Sequence, residues 1–230
     1  MSDRHADFCR AHPDVHADVR ERFPAFDYRH PAGERSVICD MRNPGNHVGF
    51  QQWAFTCWWA IETCGPMDLG LNFGSRKGIT PYCVSVDLHG NGRPHPSYEG
   101  VYFADIVSDA SEATKLCPPG GVPFINACHS LEHMPVRGDA GVQELLSGWL
   151  GLLRPGGIMA LVMPDNDHFD AMACDSDHKH AWGHSDFSRR VLDPLFFRVG
   201  LELVEYDTFD NHHSFNVVLR KLDDHQSEAK

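Results

Sequence analysis

An α/β fold built on a mostly parallel sheet follows from three features of this sequence. Short apolar runs recur along it, at Met67–Leu69, Tyr82–Val86, Val101–Phe103, Val122–Cys128, Ile158–Met163, Leu201–Tyr206 and Ser214–Leu219. Two amphipathic helical stretches separate the later runs, and strands alternating with helices pack as a parallel sheet. Only Asp207 to His213 joins the last two runs, so they form an antiparallel hairpin at the sheet edge rather than a crossover.

The elements follow in order. Residues 1–47 are polar, carry Pro13, Pro24, Pro31 and Pro44, and offer short helical turns such as 14–23; they read as an arm or lid. Residues 48–63 are rich in apolar and aromatic side chains and suit a largely buried helix, stopped by Gly65-Pro66. Residues 139–153 put Val142, Leu145, Leu146, Trp149, Leu150 and Leu153 on one face and stop at Pro155-Gly156-Gly157. Residues 185–199 begin at Ser185 as N-cap, bury Leu192, Leu195, Phe196 and Val199, and end at Gly200, with Pro194 as a kink. The chain thus divides into an arm and lid helix (1–63), an α/β domain (64–222) and a polar tail (223–230).

Bulk properties narrow the function. The 230 residues suffice for one sizeable core. Net charge is −12, without the basic stripe that a nucleic-acid surface needs. No apolar run is long enough to span a bilayer, and the first residues lack the apolar core of a secretory signal. The eight cysteines contain no CxxC pair and read as reduced thiols, which suits a cytoplasmic protein. The 48–63 segment suits either a cover over a site or packing against a second copy in a homodimer.

The first candidate site is a nucleoside pocket. A strand ending at Asp68 is followed by a turn at Gly70, Asn72 and Gly74, and a second strand ends in Asp87. Glycines let the backbone approach a ligand, and the second acid accepts hydrogen bonds from ribose hydroxyls.

Four landmarks then line up: Asp-Leu-Gly-Leu-Asn-Phe-Gly (68–74), Val-Asp-Leu (86–88), His-Ser-Leu-Glu-His-Met (129–134) and Leu-Leu-Arg-Pro-Gly-Gly (152–157). Over residues 65–220 this ensemble resembles the class I S-adenosylmethionine-dependent methyltransferases of the "type 11" group. The resemblance implies a Rossmann-like seven-stranded sheet with helices on both faces and an antiparallel last strand. It implies S-adenosyl-L-methionine as cofactor, held by Asp68, Gly70, Asn72 and Gly74 at the methionine and ribose portion. Asp87 with Leu88 would hold the ribose, and Asp105 with Ile106 would meet the adenine. His129 would lie beside the transferred methyl. The chain departs from the pattern at Asn72, where a glycine is usual, and in the short 75–81 connection.

Methyl transfer needs an aligned acceptor and often a base, a role suited to histidine near neutral pH. His129 and His133 are the candidate general bases. The long loop after the fifth run offers Asp165, His178, His180, Trp182 and His184 as residues for binding a small-molecule acceptor through oxygen or nitrogen. No residue is assigned as a metal ligand in this reading, since solvated loop histidines are the common case. A metal-dependent hydrolase or methyltransferase using the histidine-rich 164–184 loop is the alternative. His212-His213 reads as a polar turn.

Overall fold

The computed structural model describes residues 47–65, 68–74, 80, 82–88, 104–168, 170–209 and 214–223. Residues 1–46 of the expected arm, the run at 101–103, the His212-His213 turn and all of the expected tail but Asp223 lie outside the described residues.

The described residues form one seven-stranded sheet. Helix α1 (His47–Thr63) precedes β1 (Gly70–Phe73), β2 (Cys83–Asp87) and β3 (Ile106–Val107). A 3₁₀ turn at Ala110–Lys115 leads to β4 (Val122–Cys128), and a second at Leu131–His133 leads to α2 (Gly138–Leu152). Then come β5 (Leu153–Pro164), α3 (Ala171–Cys174), α4 (His184–Phe187), a π-helical stretch (Ser188–Leu192), α5 (Asp193–Phe196), β6 (Leu201–Thr208) and β7 (Ser214–Lys221). The strand order is β3-β2-β1-β4-β5-β7-β6. β1 to β5 pair in parallel, and β7 runs antiparallel to both β5 and β6. The expected edge hairpin is therefore present.

Burial on both faces explains why the central strands read as continuous apolar runs. Successive side chains of β5 alternate between faces. Met159, Leu161 and Met163 join Phe73, Ile125, Val217 and the apolar face of α2 in one core cluster. Ile158, Ala160 and Val162 join Phe124, Val218 and the α1 residues Phe55, Trp59 and Ala60 in the other. The 48–63 segment thus covers a face of the sheet. Cys57, Cys64, Cys83, Cys117 and Cys128 are all unbridged, and burial together with the Cys64 contact pushes the Cys83 thiol well up. No helix among the described residues is long and apolar enough to cross a membrane.

Three strand boundaries differ from the sequence expectation, and one is β5, which opens at Leu153 rather than Ile158 and takes in Pro155-Gly156-Gly157. β1 is Gly70–Phe73 rather than a strand ending at Asp68. β3 is Ile106–Val107, beyond the expected 101–103 run. The 185–199 helix is also divided. It starts at His184 with Gly183 as cap, so Ser185 is not the N-cap; its N–H and hydroxyl instead bond Asp167 at 2.7 and 3.0 Å. Pro194 accounts for the π stretch that precedes it. It cannot donate to the carbonyl four residues back, Arg190. The buried Gln143 of α2 supplies the missing donor, its Nε2 lying 2.9 Å from the Arg190 oxygen. Gln143→Leu strands that carbonyl and is expected to lower unfolding free energy by about 1–3 kcal/mol. Urea titration of the variant measures this, and a loss below about 0.5 kcal/mol would show that the π stretch satisfies itself.

Candidate functional site

The carboxyl ends of β1 to β4 lie side by side. Phe73 pairs with Val86 and with Ala127, and Asp87 pairs with Val107. The chain leaves these strands at Gly74, Leu88, Ser108 and His129. In open α/β sheets a ligand binds in the crevice outside these ends.

Gly74 turns away with φ +68, and its N–H donates to the Val86 oxygen at 2.9 Å. The Ser130 hydroxyl donates to the Phe73 oxygen at 2.8 Å, so a Cβ on Gly74 would lie 2.0 Å from Ser130 Oγ. Asp87 ends β2 and is 6% exposed, while its neighbour Leu88 is 61% exposed. Val107, on the next strand end, is 59% exposed. A buried acid beside two exposed apolar side chains suits a group with hydroxyls at one end and an aromatic base at the other.

The shifted boundaries move other expected residues. Asp68 lies ahead of β1, at the opposite end of the sheet, where it pairs with Arg154 at 2.8 Å. Gly70 opens β1, and a Cβ there would meet the Phe124 oxygen at 2.8 Å; this glycine permits close strand approach rather than a turn. Asn72 is inside the strand, 3% exposed, and accepts from Asn126 Nδ2 at 2.6 Å. Gly74 alone of the 68–74 set reaches the strand ends. Asp105 precedes β3 and accepts the Ser85 N–H at 2.7 Å; partial burial raises its carboxyl against that bond, although the residue is exposed overall. Ile106 lies within β3. The acid that follows β3 is Asp109, which accepts the Ser111 N–H at 2.8 Å and caps the 110–115 turn. Sequence reasoning missed it because the strand was placed five residues too early.

His129 follows β4 in the left-handed region, φ +50, uncommon for a residue with a side chain. Its Nε2 donates to Gln52 Oε1 at 2.8 Å, and Gln52 Nε2 donates to Ser214 Oγ at 2.6 Å. Its Nδ1 lies 3.4 Å from Glu132 Oε1. Glu132 is 1% exposed. Burial opposes its ionisation, but contact with His129 and the charge of His133 outweigh that and hold its carboxyl below the ordinary value. His133 Nε2 and His178 Nε2 each lie 3.9 Å from the same Oε1.

The 164–184 loop is tied down internally. Asp165 is fully buried and accepts the N–H groups of Asp167 and His184, both at 3.0 Å, which joins the two ends of the loop. His180 donates to the Met134 oxygen at 3.0 Å and stacks on Trp182, 5.1 Å between centroids. Trp182 is 2% exposed and donates to Asp139 at 3.0 Å, so it belongs to the core rather than to an open pocket wall. Burial works against ionisation of Asp139, but hydrogen bonds from Arg190 and Trp182 prevail and hold its carboxyl below the usual range. His184 stacks on Tyr206 at 4.3 Å, and the Tyr206 hydroxyl, pushed up to about 12 chiefly by burial, donates to the His184 oxygen. His178, His180 and His184 therefore do not share a ligand point. The group of described residues whose ligand atoms converge is Glu132, His133 and His178.

No family model matches the chain, and no curated protein matches it in sequence. Solved structures do match. PH0226 protein from Pyrococcus horikoshii OT3 is 12% identical with TM-score 0.53, covering 79% of this chain and 93% of that one. A chain from the complex of the Haloferax volcanii Trm112 methyltransferase activator with a methyltransferase is 14% identical with TM-score 0.52, covering 86% and 100%. A SAM-dependent methyltransferase from Archaeoglobus fulgidus is 16% identical with TM-score 0.46, covering 67% and 86%. With the strand order, the first two likenesses show that the chain shares the Rossmann-like fold of these proteins, one of them from a methyltransferase complex.

Proposed function

We propose that this protein is an enzyme that transfers a methyl group from S-adenosyl-L-methionine to an oxygen or nitrogen of a small-molecule acceptor. The observation that carries the reading is the meeting of Gly74, Asp87, Leu88 and His129 at adjacent strand ends, on a sheet with this strand order. Gly74 lets the backbone approach the methionine portion. Asp87 accepts the ribose hydroxyls, and Leu88 with Val107 flanks the adenine. Asp109 takes the adenine-contacting role first given to Asp105, because it is the acid that follows β3. Asp68, Gly70 and Asn72 then support the sheet rather than touch the cofactor.

His129 is the residue assigned to proton transfer. Once the Gln52 bond is released and the ring takes its Nδ1–H tautomer, Nε2 is free to accept a proton, and Glu132 behind Nδ1 stabilises the imidazolium that forms. The acceptor's donor atom takes the place of Gln52 Oε1 at Nε2. The backbone strain at His129 fits a side chain held in position for such work.

Calorimetry with S-adenosylmethionine and S-adenosylhomocysteine tests the cofactor. Both should bind the folded protein. Asp87→Asn should weaken each by about 10- to 100-fold, the loss of hydrogen bonds to a charged acceptor. Absence of heat with either ligand would refute the reading.

A further inference from the structure

We propose that Glu132, His133 and His178 form a binding site for a divalent transition-metal cation, with zinc the best match to their donor set. Each residue offers one ligand atom, and the three atoms lie within 4.8 Å of one another. One carboxylate oxygen with two imidazole nitrogens is a known catalytic zinc set, and it also suits ferrous iron. Tetrahedral zinc, with bonds of about 2.0–2.2 Å, places its ligand atoms roughly 3.4 Å apart. The Glu132 edges to the two imidazoles are 3.9 Å and no edge exceeds 4.8 Å, so the atoms close by about 0.5 Å on the first two and at most roughly 1.4 Å on the third, within the reach of side-chain rotations.

A second observation points to a cation. Glu132 is 1% exposed, yet neither carboxylate oxygen accepts a hydrogen bond of good geometry, the nearest imidazole nitrogen being His129 Nδ1 at 3.4 Å. A buried carboxylate without such partners is costly unless it is paired with charge or coordinates a metal. Three imidazoles approach its Oε1, from His129, His133 and His178.

The surroundings are arranged as metal ligands require. His178 Nδ1 donates to the Ala171 carbonyl at 2.9 Å, which sets the tautomer and leaves the Nε2 lone pair directed at Glu132. The Glu132 carbonyl accepts the N–H groups of Lys179 at 2.7 Å and His180 at 3.1 Å, clasping the 175–180 segment to the 131–133 turn. His133 and His178 pack edge to face at 4.6 Å. Asp175 Oδ2, 3.9 Å from His178 Nε2, stands at the rim as a further oxygen donor. Three protein ligands leave a fourth position for water or an anionic oxygen. The site immediately follows β4 and His129, at the same end of the sheet as Gly74 and Asp87. It shares Glu132 with the methyl-transfer reading, but metal binding is read without any nucleoside, so the two fail separately.

The test uses the untagged full chain, stripped with a chelator and titrated without any nucleoside. Cobalt(II) is followed by visible absorption and zinc(II) by calorimetry. One equivalent of either should bind, with the intense bands of four- or five-coordinate cobalt. Glu132→Gln and His178→Ala should each weaken binding by about 100-fold or more, since loss of outer-shell partners alone costs 10- to 100-fold. His168→Ala, on an exposed histidine outside the group, should leave it unchanged. Near-UV circular dichroism checks folding, and the wild-type stoichiometry decides the matter where a variant fails to fold. Less than one tight equivalent in the wild type, or parental binding by both folded ligand variants, would overturn the site.

Discussion

Trp149→Ala is expected to lower the unfolding free energy by about 3–5 kcal/mol, the range for removing a fully buried large aromatic. The indole is 1% exposed and packs on Phe73 with centroids 4.6 Å apart. Its Nε1 donates to the Ala110 carbonyl at 2.9 Å, linking α2 to the 110–115 turn. Truncation therefore opens a cavity and removes a hydrogen bond together. Trp149→Phe separates the two effects. It keeps most of the ring volume and should cost about 1–3 kcal/mol, mainly for the lost partner of Ala110. Urea unfolding of both variants at constant m-value measures the difference. Because Phe73 precedes Gly74, the alanine variant should also bind S-adenosylmethionine more weakly while still folded. A total loss below about 1.5 kcal/mol would mean that the site collapses around the missing ring.

Gly74→Ala should abolish nucleoside binding and destabilise the fold by about 2–4 kcal/mol. Two causes add. At φ +68 a side chain strains the backbone by about 1–2 kcal/mol. The new Cβ would also sit 2.0 Å from Ser130 Oγ and 2.7 Å from Ser130 Cβ, well inside contact distance. Ser130 cannot simply turn away, since its hydroxyl holds the Phe73 carbonyl. The double variant Gly74→Ala, Ser130→Gly removes the collision and leaves the backbone strain. It should recover part of the lost stability and little of the binding. Equal stability of the single and double variants would show that the collision relaxes elsewhere. Thermal unfolding and calorimetry on the same preparations read both quantities.

Much of the architecture was legible because it rests on local pattern. The apolar face of α2, its end ahead of Pro155-Gly156-Gly157 and the short joint before β7 are each encoded within a few residues. The ends of β1 and β3 were not legible. A short apolar run such as 67–73 suits a strand ending at Asp68 as well as one ending at Phe73. The choice falls to pairing: Phe73 meets Val86 on one side and Ala127 on the other, which carries β1 five residues further and moves Asp68 to the far end of the sheet. The same shift puts Asp109 in the place expected of Asp105.

The site chemistry divides along the same line. Residue types and their order carry the resemblance to a cofactor class, because the acid ending β2, Gly74 and the His-Ser-Leu-Glu-His segment are written in the chain itself. Which of those groups touch depends on contacts between distant segments. His178 reaches Glu132 only because Lys179 and His180 donate to the Glu132 carbonyl across more than forty residues of chain. Helix α1 reaches His129 through Gln52. Local periodicity specifies elements, but strand ends, buried charge and ligand convergence are set by long-range packing, which no short window of sequence contains.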